Sequence, residues 1–277
     1  ISGMRVAYSG IEGAYANIAT KHLFPSAKKI SYSNFKDAYD AVVETEADIA
    51  VLPLENSSAG EVGQVSDLIF SGPLYVNGTY ELTIQHDLLG CEGSELEDID
   101  TVISHPQALA QCADFIKKHG FKQEACENTA VAAAQVAKKK EKNVAAIASK
   151  EMAALYPLKT LSSSINSSYN NTTRFAILSP KLNVVETKQN DVQFILMFTV
   201  KNEAGSLARA LNIIGSHGFN LRVLRGRPMK ELLWQYYFYV EAEGNVHTAE
   251  GRDMMEALQI TCNHLKLVGS FQTEYRD

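Results

Sequence analysis

From residue 4 to residue 178, short runs rich in Val, Ile and Ala alternate with stretches whose apolar residues recur at helical spacing. A strand that is apolar at nearly every position must be buried on both faces, and helices between such strands are what cover a largely parallel sheet. An α/β fold follows. Strands are expected over 5–8, 48–52, 101–104, 144–148 and 175–178, and helices over 14–23, 34–44, 106–119 and 129–139. The middle block supplies strands and helices of its own before the chain returns to Phe175. Two lobes are therefore expected within 4–180, one over about 4–75 and 159–180 and the other over about 76–158. Small ligands bind in the cleft between such lobes, beyond the carboxyl ends of the strands.

The rhythm breaks at 181–191, where Asn183, Lys188, Gln189 and Asn190 stand without apolar periodicity, the pattern of a linker. Beyond it, 192–277 reads as a strand (194–200), a helix (206–216), two strands (220–224 and 234–241), a helix (249–263) and a strand (266–271). That βαββαβ order is the ferredoxin-like arrangement. A chain of 277 residues has room for both units.

Composition narrows the function. A formal charge of -6, with no cluster of basic and aromatic residues, argues against a nucleic-acid surface, and the only basic run, Lys138, Lys139, Lys140 and Lys142, ends a helical stretch. Cys91, Cys112, Cys126 and Cys262 have neither zinc-ligand nor disulfide-framework spacing, so no metal is expected. No signal peptide or membrane-spanning stretch is read, and the expected compartment is the cytoplasm.

Polar groups suited to an anionic ligand gather after the expected strands. Ser9-Gly10-Ile11-Glu12-Gly13-Ala14 allows a tight turn before a helix start, but it is no nucleotide loop. Glu55-Asn56-Ser57-Ser58 is dense in donors and acceptors, and Ser104-His105-Pro106-Gln107 reads as a helix cap with Gln111 one turn on. Adjacent Ser104 and His105 cannot aim at each other, so no hydrolase triad is read. Asn171-Thr172-Thr173-Arg174-Phe175 places hydroxyls and a guanidinium at the head of an apolar strand. Arginine grips carboxylates in a planar fork, which makes an organic acid the expected ligand.

In this order, Glu55-Asn56-Ser57, Ser104-His105-Pro106-Gln107-Ala108-Leu109, Asn128-Thr129-Ala130 and Thr172-Thr173-Arg174-Phe175 resemble the prephenate dehydratases of phenylalanine biosynthesis. The segment from Asp191 onward resembles the ACT regulatory domain that follows in that family. The resemblance implies a periplasmic-binding-protein-like pair of lobes, a cofactor-free lyase, phenylalanine as effector, and a homodimer or homotetramer assembled through ACT domains. It implies Thr173 as the catalytic threonine, Glu55 as an alternative proton source, and Arg174 as the carboxylate ligand. Asn56, Ser57, Ser104, Gln107, Thr172 and Phe175 complete the implied substrate site, with Gln111 in a structural role.

In the regulatory unit the resemblance implies a phenylalanine site at Gly205, Ser206, Leu207 and Ala208, with Asn220, Leu221, Arg227 and Pro228 facing it. One motif departs. Many members carry Glu-Ser-Arg-Pro where this chain has Arg225-Gly226-Arg227-Pro228. Arogenate, the amino analogue of prephenate, is the alternative substrate, and a non-catalytic binding module is the alternative class.

Overall fold

Three sheets organise the chain, and a computed structural model describes them over residues 3–167, 171–186 and 191–272. The first sheet contains β1 (Arg5–Ser9), β2 (Lys28–Tyr32), β3 (Ile49–Asn56), β4 (Gly60–Glu61), β5 (Tyr75–Thr83) and the returning β11 (Thr172–Ser179). Its order is β2-β1-β3-β11-β5, with β4 added to β3. Parallel pairing of β1 with β2 and β3 requires crossovers, which α1 (Tyr15–Leu23) and α2 (Phe35–Val43) supply. Asn34 starts α2 by accepting the Asp37 amide, the bond that an exposed first turn needs. The helix α3 (Gly63–Ser71) leads on into β5.

The second sheet runs β10-β6-β9-β7-β8, from β6 (His86–Cys91), β7 (Thr101–Ser104), β8 (Lys122–Ala125), β9 (Val144–Ser149) and β10 (Leu158–Ser162). Here α6 (Thr129–Lys139) buries Ala130, Ala132, Ala133 and Val136 against Ile103, Ala146 and Ala148, and α7 (Glu151–Leu155) follows β9. Small side chains let helix and sheet approach closely. The helix expected over 106–119 is two, α4 (Pro106–Gln111) and α5 (Ala113–His119), broken at Cys112.

The expected lobe boundaries shift at two strands. Residues 76–83 pair with β11 in the first sheet, and residues 158–162 pair with β6 in the second. Both choices depend on partners about a hundred and about seventy residues distant in the chain, which local periodicity does not encode.

The third sheet, β13-β14-β12-β15, is antiparallel throughout, from β12 (Val192–Thr199), β13 (Asn220–Pro228), β14 (Tyr236–Glu243) and β15 (His264–Gln272). With α8 (Ser206–Ser216) and α9 (Ala249–Thr261) it completes the expected βαββαβ order. One face packs under these helices through Phe194, Leu196, Ile214, Met254 and Leu258. The other contributes Ile195, Met197, Tyr237, Tyr239, Val268 and Phe271 to the same core as Leu52, Leu54, Ile69 and Val76 of the first unit. Each such aliphatic side chain, fully buried, contributes roughly 1.5–3 kcal/mol. The third sheet is thus held to the first by a hydrophobic core, which resists free relative motion. Of the expected linker, residues 187–190 lie outside the described residues.

Candidate active site

β3 and β11 run antiparallel with Thr173 opposite Asn56 and Arg174 opposite Glu55. Residues directly opposite share a face and successive residues alternate, so these two pairs point to opposite sides of the first sheet. Asn56 and Thr173 look toward the second lobe. Glu55 and Arg174 look toward the third sheet.

On the first side lies a network of neutral groups. Asn56 Oδ1 accepts from the Ser58 amide at 2.9 Å, the Ala59 amide at 3.1 Å and Gln107 Nε2 at 3.0 Å. Three donors on one oxygen fix the amide's orientation. Its Nδ2 therefore donates to Thr173 Oγ1 at 2.9 Å and to Asn171 Oδ1 at 3.3 Å. Gln107 belongs to α4, so this bond joins the two lobes. A second bridge follows, from Gln111 Nε2 to Ser58 Oγ at 3.2 Å, while Gln111 Oε1 meets His86 Nε2 at 2.8 Å. Asn171 Nδ2 also approaches that nitrogen, at 3.1 Å. Burial lowers the His86 pKa, so the ring is neutral near pH 7, and among the described residues its Nδ1 has no hydrogen-bond partner.

These bridges border a cavity of about 280 Å³. Ala14 and Tyr15 at the start of α1 line it, with His105, Gln107, Ala108 and Gln111 along α4, Glu127, Asn128 and Thr129 at the start of α6, and Asn171. Helix starts present backbone N–H groups and positive dipole ends, which suit carboxylates. His105 Nδ1 accepts from the Gln107 amide at 3.0 Å, so the neutral ring carries its proton on Nε2. Burial raises the Tyr15 phenol's pKa, keeping it protonated beside Thr129. Among the described residues, the lining holds no Lys or Arg, and Glu127 is its only carboxylate.

Several expected site residues sit elsewhere. Arg174 Nη1 binds Glu241 Oε1 of β14 at 2.5 Å and stands 3.7 Å from Glu55 Oε1. Arg225 of β13 also binds Glu55. Neither Arg174 as carboxylate ligand nor Glu55 as proton source fits this arrangement, because strand alternation turns both away from the cavity. Ser104 is fully buried and donates to the Ile147 carbonyl at 2.6 Å, and Phe175 is a core residue packed with Val6, Val51 and Leu82. Ser57 ties the loop to β11, its Oγ accepting the Thr172 amide at 3.0 Å, and Thr172 Oγ1 meets Thr83 Oγ1 at 3.0 Å. Both position the loop rather than line the cavity.

In the unit built on the third sheet, Gly205 adopts a φ of +81° at the start of α8, a conformation that favours glycine. Ser206 is buried, Leu207 packs into the core of the unit, Ala208 and Asn220 are exposed, and Leu221 is half-buried. Pro228 ends β13, exposed. Arg227, expected on the effector, instead grips Asp67 with two bonds, at 3.0 and 3.1 Å, and Glu61 at 3.1 Å. It clamps β13 to the first unit.

The sequence reading did not place Tyr15, His86, His105, Glu127 or Asn171 in the site. Of these, His105 and Asn171 lay inside motifs already singled out, and Asn171 stands two residues before Thr173 and so on the same face of the strand.

Fold and site together define a class of two-lobed cleft protein: two α/β lobes bridged by neutral amides, with a ferredoxin-like unit docked behind β3 and β11. Residues 6–183 match the family model described as prephenate dehydratase. Arogenate dehydratase/prephenate dehydratase 2 of Arabidopsis thaliana is 31% identical over 99% of this chain and 74% of its own length. Prephenate dehydratase of Methanocaldococcus jannaschii is 33% identical over 96% of this chain and 97% of its own. Among solved structures, prephenate dehydratase from Arthrobacter aurescens in complex with L-Phe superposes with a TM-score of 0.89 at 25% identity, covering 97% of this chain and 90% of that one. A protein described as a novel type of quorum quenching acylase also superposes at 0.89, with 27% identity over 98% of both chains. The chain belongs to the prephenate dehydratase family.

Proposed function

We propose that this chain converts prephenate to phenylpyruvate, carbon dioxide and water, and that phenylalanine regulates it through the third sheet and its helices. The observation that carries this reading is the bond network through Asn56, which joins Thr173 to Gln107 across the lobes beside a cavity of about 280 Å³. A relative of the same fold described as an acylase means that the fold does not fix the reaction, so the reading rests on these residues.

In the reaction, the bond from the ring to its hydroxyl and the bond from the ring to its carboxylate both break. The electron pair left by carbon dioxide enters the ring, which becomes aromatic, and the hydroxyl leaves as water after gaining one proton. Aromatisation drives the process, so the protein's task is to hold the acid and assist the hydroxyl's departure. Asn56 already donates to Thr173 Oγ1, which leaves the threonine's own hydrogen for a second partner. We assign that hydrogen to the leaving hydroxyl. Neutral Gln107, Asn171 and the His105 Nε2–H, with the starts of α1 and α6, hold the carboxylates.

Cys91, Cys112 and Cys262 are buried thiols and Cys126 is half-buried, which suits the cytoplasm as compartment. For the effector we retain Gly205, Ser206, Leu207, Ala208, Asn220, Leu221 and Pro228 as the contact region, in an assembly of two or four copies. Spectroscopic detection of phenylpyruvate from prephenate by the purified chain, with Thr173→Ala as control, tests the catalytic reading. Formation that persists at the wild-type rate in the folded variant refutes the assignment of Thr173. No formation by the folded wild type refutes the reaction.

A further inference from the structure

We infer that His86 is a positioning residue of the candidate site, and that its proton state decides whether the ring holds Asn171 or Gln111. The inference rests on the dehydratase reading and adds a residue that works from behind the cavity lining.

His86 opens β6 with its ring fully buried, and its Nε2 has two neighbours of opposite kind. Gln111 Oε1, an acceptor, lies 2.8 Å away, and Asn171 Nδ2, a donor, lies 3.1 Å away. One imidazole nitrogen either donates or accepts, so it cannot serve both. Asn56 decides which neighbour is fixed. Its Oδ1 takes the Ser58 and Ala59 backbone N–H groups, so its Nδ2 must donate, and it donates to Asn171 Oδ1 at 3.3 Å. Asn171 is thereby held with its Nδ2 toward the ring. Gln111 has no such anchor. Its other end meets Ser58 Oγ at 3.2 Å, a hydroxyl that donates or accepts, so this amide fits either way round. The neutral ring therefore accepts from Asn171 at Nε2 and carries its proton on Nδ1. Ser149 stands directly opposite His86 in β9, so the two side chains share a face of the second sheet. Its Oγ, like Nδ1, is buried without a partner among the described residues. A hydroxyl can accept from Nδ1–H in the neutral ring and in the charged one alike, so a second proton changes only the Nε2 side.

In the charged ring Nε2–H turns to Gln111 Oε1 and opposes the Asn171 donor. Asn171 lines the cavity, and of its two amide hydrogens one goes to His86 and the other is left for a substrate carboxylate. Protonation of His86 displaces that amide, and with it the acceptor offered to Asn56, the group that aims Thr173. The groups facing His86 are the Tyr15 phenol of α1, which stays protonated, the buried neutral thiol of Cys112 at the end of α4, Ser149 and Asn171. Asp87, its neighbour in β6, points to the other face and accepts the Ser164 amide at 2.9 Å. Burial outweighs both Asp87 and the Gln111 bond and holds the His86 pKa below the usual 6.5. The productive neutral ring is present above that pKa and is lost as the pH falls through it.

The test has two arms, both on the full chain. In the first, nitrogen NMR of isotope-labelled imidazoles reads the tautomer without substrate, the His86 signals being those lost in His86→Gln and in His86→Asn. The neutral ring is expected to show a bare Nε2 and a protonated Nδ1, and a neutral ring protonated on Nε2 overturns the inference. The second arm measures kcat/KM for prephenate from about pH 5 to about pH 8, with the rate in the absence of protein subtracted. Glutamine places an oxygen and an NH2 group near the Nε2 position and does not titrate, whereas asparagine reaches only the Nδ1 position. The wild-type value is expected to fall at least about fivefold on the acid side, a fall that His86→Gln removes, while His86→Asn is at least about tenfold below His86→Gln at neutral pH. An acid limb unchanged in His86→Gln assigns the titration to His105 or Glu127 of the lining and overturns the inference, as do equal values for the two variants. A folded wild type that consumes no prephenate overturns the dehydratase reading, and the NMR arm then decides the proton state on its own.

Discussion

Glu241→Gln removes one charge from a buried cluster whose members sum to zero. The cluster comprises Arg174 and Arg225 against Glu55 and Glu241, with Glu241 only 3% exposed and Arg174 14%. Glutamine retains the shape and leaves a net positive charge beneath the third sheet. Removing one member of a buried ion pair costs about 3–5 kcal/mol, chiefly because the survivor stays desolvated and unpaired. Arg174 keeps Glu55 at 3.7 Å, so the low end of that range, about 3 kcal/mol, applies here. At a urea dependence of about 3 kcal/mol per molar, that loss moves the unfolding midpoint down by about 1 M. Far-UV circular dichroism is the right probe, since the single tryptophan, Trp234, is 84% exposed and reports little on packing. The double variant Glu241→Gln/Arg225→Gln restores neutrality and frees Glu55 to pair with Arg174 alone. It should be more stable than the sum of the two single changes by about 1 kcal/mol. A single variant within about 0.5 kcal/mol of wild type, or strict additivity in the double, would refute the charge argument.

Three further outcomes follow from the same structure. Asn56→Ala should lower turnover at least tenfold with the fold retained, because it removes the donor that orients Thr173 and the acceptor for Gln107, and steady-state kinetics on the folded variant checks it. Gly269→Ala would place a methyl group 2.1 Å from the Val76 carbonyl, where β15 meets β5, and should cost about 1–3 kcal/mol in urea unfolding. Burial opposes ionisation of Asp67, but bonds from Arg227 and Tyr237 outweigh it and hold its pKa below the usual 3.8. That contribution is complete above pH 3.8 and is lost as the pH falls through the lower folded value, so Asp67→Asn should flatten the acid limb of a stability profile.

The sequence carried the architecture and half of the site. Runs such as Val6-Ala7-Tyr8 and Ala145-Ala146-Ile147-Ala148 are apolar throughout because both faces are covered, and their strands stand where periodicity predicts. The fate of Tyr75–Thr83 was not legible, since its place beside β11 is a pairing across the whole second lobe. Thr173, Asn56 and Gln107 came together as their motifs implied. Arg174 did not join them, although the alternation that turns it away from Thr173 was present in the residues themselves. A guanidinium beside a hydroxyl expected to be catalytic suggests a substrate ligand, and that chemical expectation hid the geometric one. Nothing local marks His86 or Glu127, because the first is a buried strand residue and the second a loop carboxylate until the lobes close around them.

The pairing of β3 with β11 has a consequence for signalling. Asn56 and Thr173 belong to the hydrogen-bond network that borders the cavity, while their immediate neighbours Glu55 and Arg174 are anchored to β13 and β14. One peptide bond separates the two duties on each strand. Under the proposed regulation, a message from the third sheet would cross no intermediate residue, because Arg225 and Glu241 hold Glu55 and Arg174, the chain neighbours of Asn56 and Thr173. Linkage makes this traffic two-way: whatever free energy an effector on the third sheet exerts on substrate binding, bound substrate returns in equal measure to the effector.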